Sequence, residues 1–138
     1  MIVVVDASVA LKWYIEEDDT AKAETLLNGV YQLNAPELIL PEFGNILWKK
    51  VRRGEATPEE ARSILTLFRN QNIRLHTHQR LIQSAYFGAE ITGQTVYDWT
   101  YLALAAALDC PFVTADRKFY KILESTNLRK HLLWVGDL

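Results

Sequence analysis

Four acidic residues, Asp6, Glu42, Asp98 and Asp116, are placed where they could do chemistry together. Asp6 follows the β-branched run Ile2 to Val5, and Asp116 follows the apolar segment Pro111 to Thr114. Both runs are too short for helices and predict strands buried on two faces, so each acid lies just past a strand's carboxyl end. Glu42 falls in the first turn of a helix opened by Pro41, and Asp98 precedes the apolar helical segment Trp99 to Leu108. Singly, each acid has an ordinary explanation: aspartate is a favoured helix N-cap, and an acid in a first turn complements the helix dipole. In parallel α/β sheets, however, ligands bind outside the carboxyl ends of the strands, where the strand order reverses, and four carboxylates could converge there. As bare anions in a small, partly dry cavity they would repel one another and some would protonate; a divalent cation removes that conflict. An all-oxygen donor set suits Mg2+ or Mn2+, whereas zinc favours His and Cys, and Cys110 is the only cysteine. Two such ions about 4 Å apart activate a water and stabilise the leaving oxygen in phosphodiester hydrolysis, so metal-dependent nuclease chemistry is the expectation.

Several further elements must position these residues. A short helix is predicted from Ala7 to Ile15, and a second from Asp19 or Thr20 to about Asn28, stopped by Gly29. Tyr31 to Ala35 is a weaker strand pattern; the helix begun at Pro41 carries Phe43, Ile46, Leu47 and Val51 at helical spacing until Gly54. Thr57-Pro58-Glu59-Glu60 reads as a capping box opening a helix to about Asn70. Ile73 to His76 predicts a strand, His78 to Thr92 a helix closed by Gly93, Lys118 to Glu124 a last helix, and Leu132 to Val135 a terminal strand. Alternating strands and helices imply right-handed crossovers and a parallel sheet covered on both sides, an α/β class without repeats or linkers, with residues 1–138 forming one domain.

Composition agrees and excludes alternatives. With 49% hydrophobic and 23% charged residues, 6 Gly and 4 Pro, the sequence is neither disordered, collagen-like nor a disulfide scaffold. Fifteen basic against seventeen acidic residues leave a net charge of −2, so any polyanion must be met by a local patch. The lone Cys110 suits the core of a protein in a reducing cytoplasm. Met1 to Val5 carries no basic leader, and the apolar run Tyr101 to Leu108 is far below the roughly 18 residues of a membrane span, so neither export nor insertion is expected.

The acids and their neighbours resemble the four motifs of the PIN-domain family over nearly the whole chain. Asp6-Ala7-Ser8-Val9-Ala10-Leu11-Lys12-Trp13 is similar to the opening motif, and Leu40-Pro41-Glu42 with Asn45 and Leu47 to the second. Tyr97-Asp98 with Tyr101 to Ala105 resembles the third, and Val113-Thr114-Ala115-Asp116 with Phe119 the fourth. The likeness is nearest to VapC-like toxins of type II toxin-antitoxin modules. It implies a three-layer α/β/α PIN-like fold with a central parallel sheet of four to five strands. It further implies Mg2+- or Mn2+-dependent endoribonuclease activity on RNA, a cognate antitoxin partner and a homodimer. By that resemblance Asp6, Glu42, Asp98 and Asp116 are the catalytic, metal-binding acids, Ser8 and Thr114 are hydroxyls near the metal, and Asn45 supports Glu42. Trp99 departs from the small residue common beside the third acid and either narrows the mouth or packs in the core.

Lys12, Arg117 and Lys118, within a few residues of two site acids, are the candidate RNA contacts; the denser Lys49, Lys50, Arg52 and Arg53 cluster reads as a solvated helix face. His76, His78 and His131 lack ligand-like spacing and are read as exposed or capping, and Trp13, Tyr14, Trp48 and Phe68 mainly as core. A phosphoacceptor receiver or a dehalogenase-like phosphatase would need a second acid beside or two after Asp6, where Ala7 and Ser8 stand. The remaining alternative is a PIN-fold module that binds RNA or protein without cutting, against which four retained, mutually repelling acids argue.

Overall fold

A computed structural model describes all residues, 1–138. Five strands, β1 (Ile2–Val5), β2 (Gln32–Pro36), β3 (Ile73–His76), β4 (Phe112–Thr114) and β5 (Leu132–Trp134), form one sheet in the order β3-β2-β1-β4-β5, with every pair parallel. Seven helices connect and cover them: α1 (Ala7–Leu11), α2 (Thr20–Glu24), α3 (Ile39–Arg52), α4 (Pro58–Arg69), α5 (Ile82–Thr92), α6 (Val96–Leu108) and α7 (Arg117–Leu123). The chain steps outward from β1 through β2 to β3, then returns across the sheet to lay β4 on the other side of β1. The order reverses between β1 and β4, which is where an α/β sheet opens a crevice at its carboxyl edge.

Burial explains why the central strands lack alternation. Val3, Val4 and Val5 are fully buried because both faces are covered, and Phe112 and Val113 of β4 are equally enclosed. Helix α6 packs against β1, β2 and β4 and against α5; α1 packs on α3, and α3 on α4. The unbroken burial of Trp99 to Ala105 matches the missing polar face of that segment. Trp99 belongs to the core: its ring lies so close to Gly88 of α5 that a Cβ there would overlap it, and its Nε1 donates to Thr92 Oγ1 at 2.8 Å. No helix is long and apolar enough to cross a membrane.

Several boundaries differ from the sequence expectation for identifiable reasons. Helix α1 stops at Leu11, four residues short of Ile15. Helix α2 follows Asp19, whose φ of 62° is left-handed and whose side chain caps nothing, and tightens into a 3-10 turn over Thr25–Leu27 before Gly29. Helix α3 starts at Ile39, two residues before Pro41, and α5 starts at Ile82 rather than His78. Thr57 caps α4 as expected, its Oγ1 accepting from the Glu60 amide at 3.2 Å and donating to Glu60 Oε1 at 3.1 Å.

Candidate active site

All four acids line one cleft at the sheet's carboxyl edge, together with Ser8, Ile46, Tyr101 and Thr114, around about 420 Å³ of empty space. Strand ends place two of them. Asp6, buried where β1 gives way to α1, accepts from the Val9 amide at 3.0 Å and the Ser8 hydroxyl at 2.6 Å through Oδ1, and from the Thr114 hydroxyl at 2.6 Å through Oδ2. Asp116 begins α7, its Oδ1 accepting from the Phe119 amide at 3.1 Å. Capping and clustering are therefore combined in these two residues. A small relay joins them: Thr114 Oγ1 accepts from the Asp116 amide at 3.0 Å, and Ser8 Oγ accepts from the Ala115 amide at 3.3 Å.

Asp98 is not a cap. Helix α6 begins at Val96 and its cap is Thr95, whose Oγ1 accepts from the Asp98 amide at 3.1 Å. That shift puts Asp98 in the first turn, its carboxylate turned into the cleft. Glu42, in the first turn of α3, faces it with Oε1 buried and without a hydrogen-bond partner.

The electrostatics follow from this crowding. Burial pushes the Asp6 carboxyl above its ordinary value, against the lowering effect of Ser8, Thr114 and the Val9 amide. Burial likewise raises Glu42 to about 7, opposed by the Tyr101 hydroxyl and reinforced by the charges of Asp6 and Asp98. Burial also raises Asp98, with Asp116 adding repulsion and Thr95 and Lys118 opposing. Tyr101 is held protonated by burial and by the charge of Glu42, but its hydroxyl completes no hydrogen bond and, like Glu42 Oε1, is an orphaned polar atom of a cleft residue. These are the marks of carboxylates gathered without a counter-charge. As the side chains stand, no three acids are tight enough to enclose an ion. The donor chemistry nevertheless fits a hard divalent cation: oxygen ligands only, one unpartnered, and surplus negative charge.

The other sequence candidates divide. Ser8 and Thr114 lie in the cleft as hydrogen-bond donors to Asp6. Asn45 is exposed on an adjoining depression with Pro41 and Tyr97, and makes no bond to the unpartnered Glu42 oxygen. Lys118 reaches Asp98 electrostatically, whereas Lys12 and Arg117 line a separate depression next to the cleft. Lys49, Arg52 and Arg53 face solvent, and Lys50 pairs with Glu55 at 3.4 Å. The histidines are structural: His78 Nε2 accepts from the Leu38 amide at 3.0 Å at the start of α3, His76 bonds Asn34 at 2.9 Å, and His131, expected to be exposed or capping, is buried where its 3-10 turn runs into β5. Trp13 and Phe68 are core residues, but Trp48 is exposed beside Arg52. Sequence reasoning missed Tyr101 as a cleft residue, since its place in an apolar run reads as core, and missed Thr95 as the cap three residues before Asp98.

A parallel α/β sheet with a cleft of four acids at its topological switch point defines the class of protein: a single α/β domain with an acidic pocket at its carboxyl edge. The PIN domain family model matches residues 3–124, and the chain belongs to that family. Among relatives, Ribonuclease VapC3 of Pyrobaculum aerophilum is 32% identical over 120 residues, covering 86% of this chain and 92% of that protein. Ribonuclease VapC1 of Mycobacterium tuberculosis is 36% identical over 86 residues, 62% of this chain and 63% of that one. Of solved structures, VapBC2 from Rickettsia felis bound to a promoter DNA fragment shares the fold with a TM-score of 0.63 at 16% identity, covering 97% of this chain and 98% of its own. VapC20 of Mycobacterium tuberculosis, a Sarcin-Ricin loop cleaving toxin, does so at 0.61 and 14%, covering 78% and 83%.

Proposed function

We propose that this protein is a Mg2+- or Mn2+-dependent endoribonuclease acting as the toxin of a type II toxin-antitoxin pair. The observation that carries the reading is the gathering of Asp6, Glu42, Asp98 and Asp116 in one cleft at the switch point, with Glu42 Oε1 buried and unpartnered. Two ribonuclease relatives support it. Asp6, fixed by Ser8, Thr114 and the Val9 amide, is the rigid anchor of the cation set. Glu42, which no hydrogen bond holds, is the ligand free to move inward and close it. Asp98 and Asp116 complete the donors. The bound cation supplies charge neutralisation at the phosphodiester and acidifies a water at neutral pH. Lys118, beside Asp98, is a candidate contact to the RNA backbone.

The protein partners follow from the same reading: a cognate antitoxin, and a second copy of this chain. Exposed apolar side chains on α5, Phe87 at 60% and Ile91 at 77% with Ile82 and Tyr86 beside them, are the surface offered for the homodimer. The test is cleavage of single-stranded RNA by purified protein with Mn2+, Mg2+ or EDTA. Cation-dependent cleavage abolished in Asp98→Asn is expected. RNA binding without cleavage in either metal overturns the enzymatic reading and leaves a passive binder.

A further inference from the structure

Beside the acidic cleft, across Ala115, lies a second depression lined by Lys12, Asp18, Asp19, Ala115, Arg117 and Trp134. Lys12 is unusual within it. The residue is only 8% exposed, its stem packed away while the ammonium group reaches solvent, and it makes no ion pair and donates no hydrogen bond; the ion pairs of the protein are Lys50–Glu55 and Arg62–Glu59, both elsewhere. A lysine that packs its stem away and presents an unpaired ammonium group to a depression offers that charge to an incoming anion. Arg117 is equally without a carboxylate and is held in place by stacking, its guanidinium 4.8 Å from the Trp134 ring centre. Trp134 is braced in turn by Tyr120, edge to face at 5.7 Å. Two unpaired cations thus border one space, and stacking holds one of them in place before any ligand arrives.

We infer that this depression is a phosphate subsite in which Lys12 and Arg117 hold a backbone phosphate of the RNA neighbouring the scissile one. The inference rests on the ribonuclease reading and adds the strand's path to it. Ala115 stands between Thr114 and Asp116, both of the cleft, and itself lines the depression, so the two spaces flank the same stretch of backbone. A chain bound at the acids and leaving over Ala115 meets Lys12 and Arg117 next. Asp18 and Asp19 sit exposed on the rim, beyond 4.0 Å of either cation, and balance their charge. That balance disfavours a dianionic terminal phosphate and admits a singly charged diester. A rigid pair of donors at one phosphate fixes register without reading bases.

The test uses the full chain and a single-stranded oligoribonucleotide, bound in EDTA so that no cation supports cleavage, and followed by fluorescence anisotropy across salt concentration. Lys12→Met keeps the apolar stem and removes the charge, with Lys12→Arg as the conservative control. Lys12→Met is expected to weaken binding about tenfold, as for loss of one charge-assisted contact, and to lower the salt slope by about one phosphate. Lys12→Arg retains both. In cleavage, KM rises with kcat moved less than twofold. Single methylphosphonate replacements then locate the contact: one neutralised phosphate costs the wild type affinity and costs Lys12→Met nothing. If every methylphosphonate affects the two proteins equally, or Lys12→Met binds as wild type, the subsite is refuted even while cleavage persists. Absence of RNA binding by the wild type refutes the subsite, whereas absence of cation-dependent cleavage overturns the ribonuclease reading itself. Should Lys12→Met fail to fold, Arg117→Gln, at an exposed position, carries the same comparison.

Discussion

Replacing Glu42 by glutamine should stabilise the cation-free protein at pH 8, because it removes a charge that the cleft penalises. Folding raises this carboxyl from 4.5 to about 7. Between those values the native state holds a proton that the unfolded chain has released, so wild-type stability falls as pH rises through the window and is level above it. At about 1.4 kcal/mol per pH unit the penalty would be roughly 3 kcal/mol, which partial exposure of Glu42 screens to about 1–2 kcal/mol. For a domain of this size that corresponds to about 3–10 °C in Tm. The assay is thermal unfolding of wild type and Glu42→Gln in EDTA at pH 8 and pH 5. The variant should melt higher at pH 8, and most of the difference should vanish at pH 5, where the wild-type carboxyl is protonated. Added Mn2+ should reverse the order at pH 8, since a cation bound only by the folded state stabilises the wild type and loses a ligand in the variant. A variant that melts lower at pH 8 in EDTA, or a difference independent of pH, would refute the argument from crowded carboxylates.

Other consequences are simpler to state. Asp98→Asn, which leaves the Thr95 cap intact, should lower RNA cleavage by at least about 100-fold without lowering Tm, read by gel assay and calorimetry together. Gly88→Ala drives a methyl into the Trp99 ring and should cost about 1–3 kcal/mol in urea unfolding; an unchanged midpoint would mean that α5 can slide away from α6. Ile91→Asp on the exposed face of α5 should convert a dimer to a monomer in light scattering without altering the monomer's secondary structure, and a monomeric wild type would discard that surface.

The chain's own pattern determined the elements and the strand-end acids, because those depend on neighbours close in sequence. A run of valines with no polar alternation is a doubly covered strand wherever it pairs, and Thr57 caps its helix through a bond three residues long. Gly54 and Gly93 end helices because their positive φ suits no other residue as well. Asp6 and Asp116 were legible as site residues for the same reason: a carboxylate after a buried parallel strand must stand at the sheet's edge. What only the tertiary structure decided are relations across long separations. Asp116 meets Asp6 because β4 returns to the far side of β1, Glu42 joins them because α3 packs on α1, and no local spacing encodes either meeting. Whether Asp98 caps a helix or faces a cleft turned on a start point three residues away, a choice that packing of α6 on the sheet makes rather than propensity. Lys12 was legible as a charge near the first acid; only the tertiary structure sets it in one depression with Arg117 and Trp134, its stem packed away and its charge unpaired. Secondary structure is set by short-range sterics and hydrogen bonds, whereas a site is a meeting of distant side chains, and its electrostatics exist only once water has been excluded from between them.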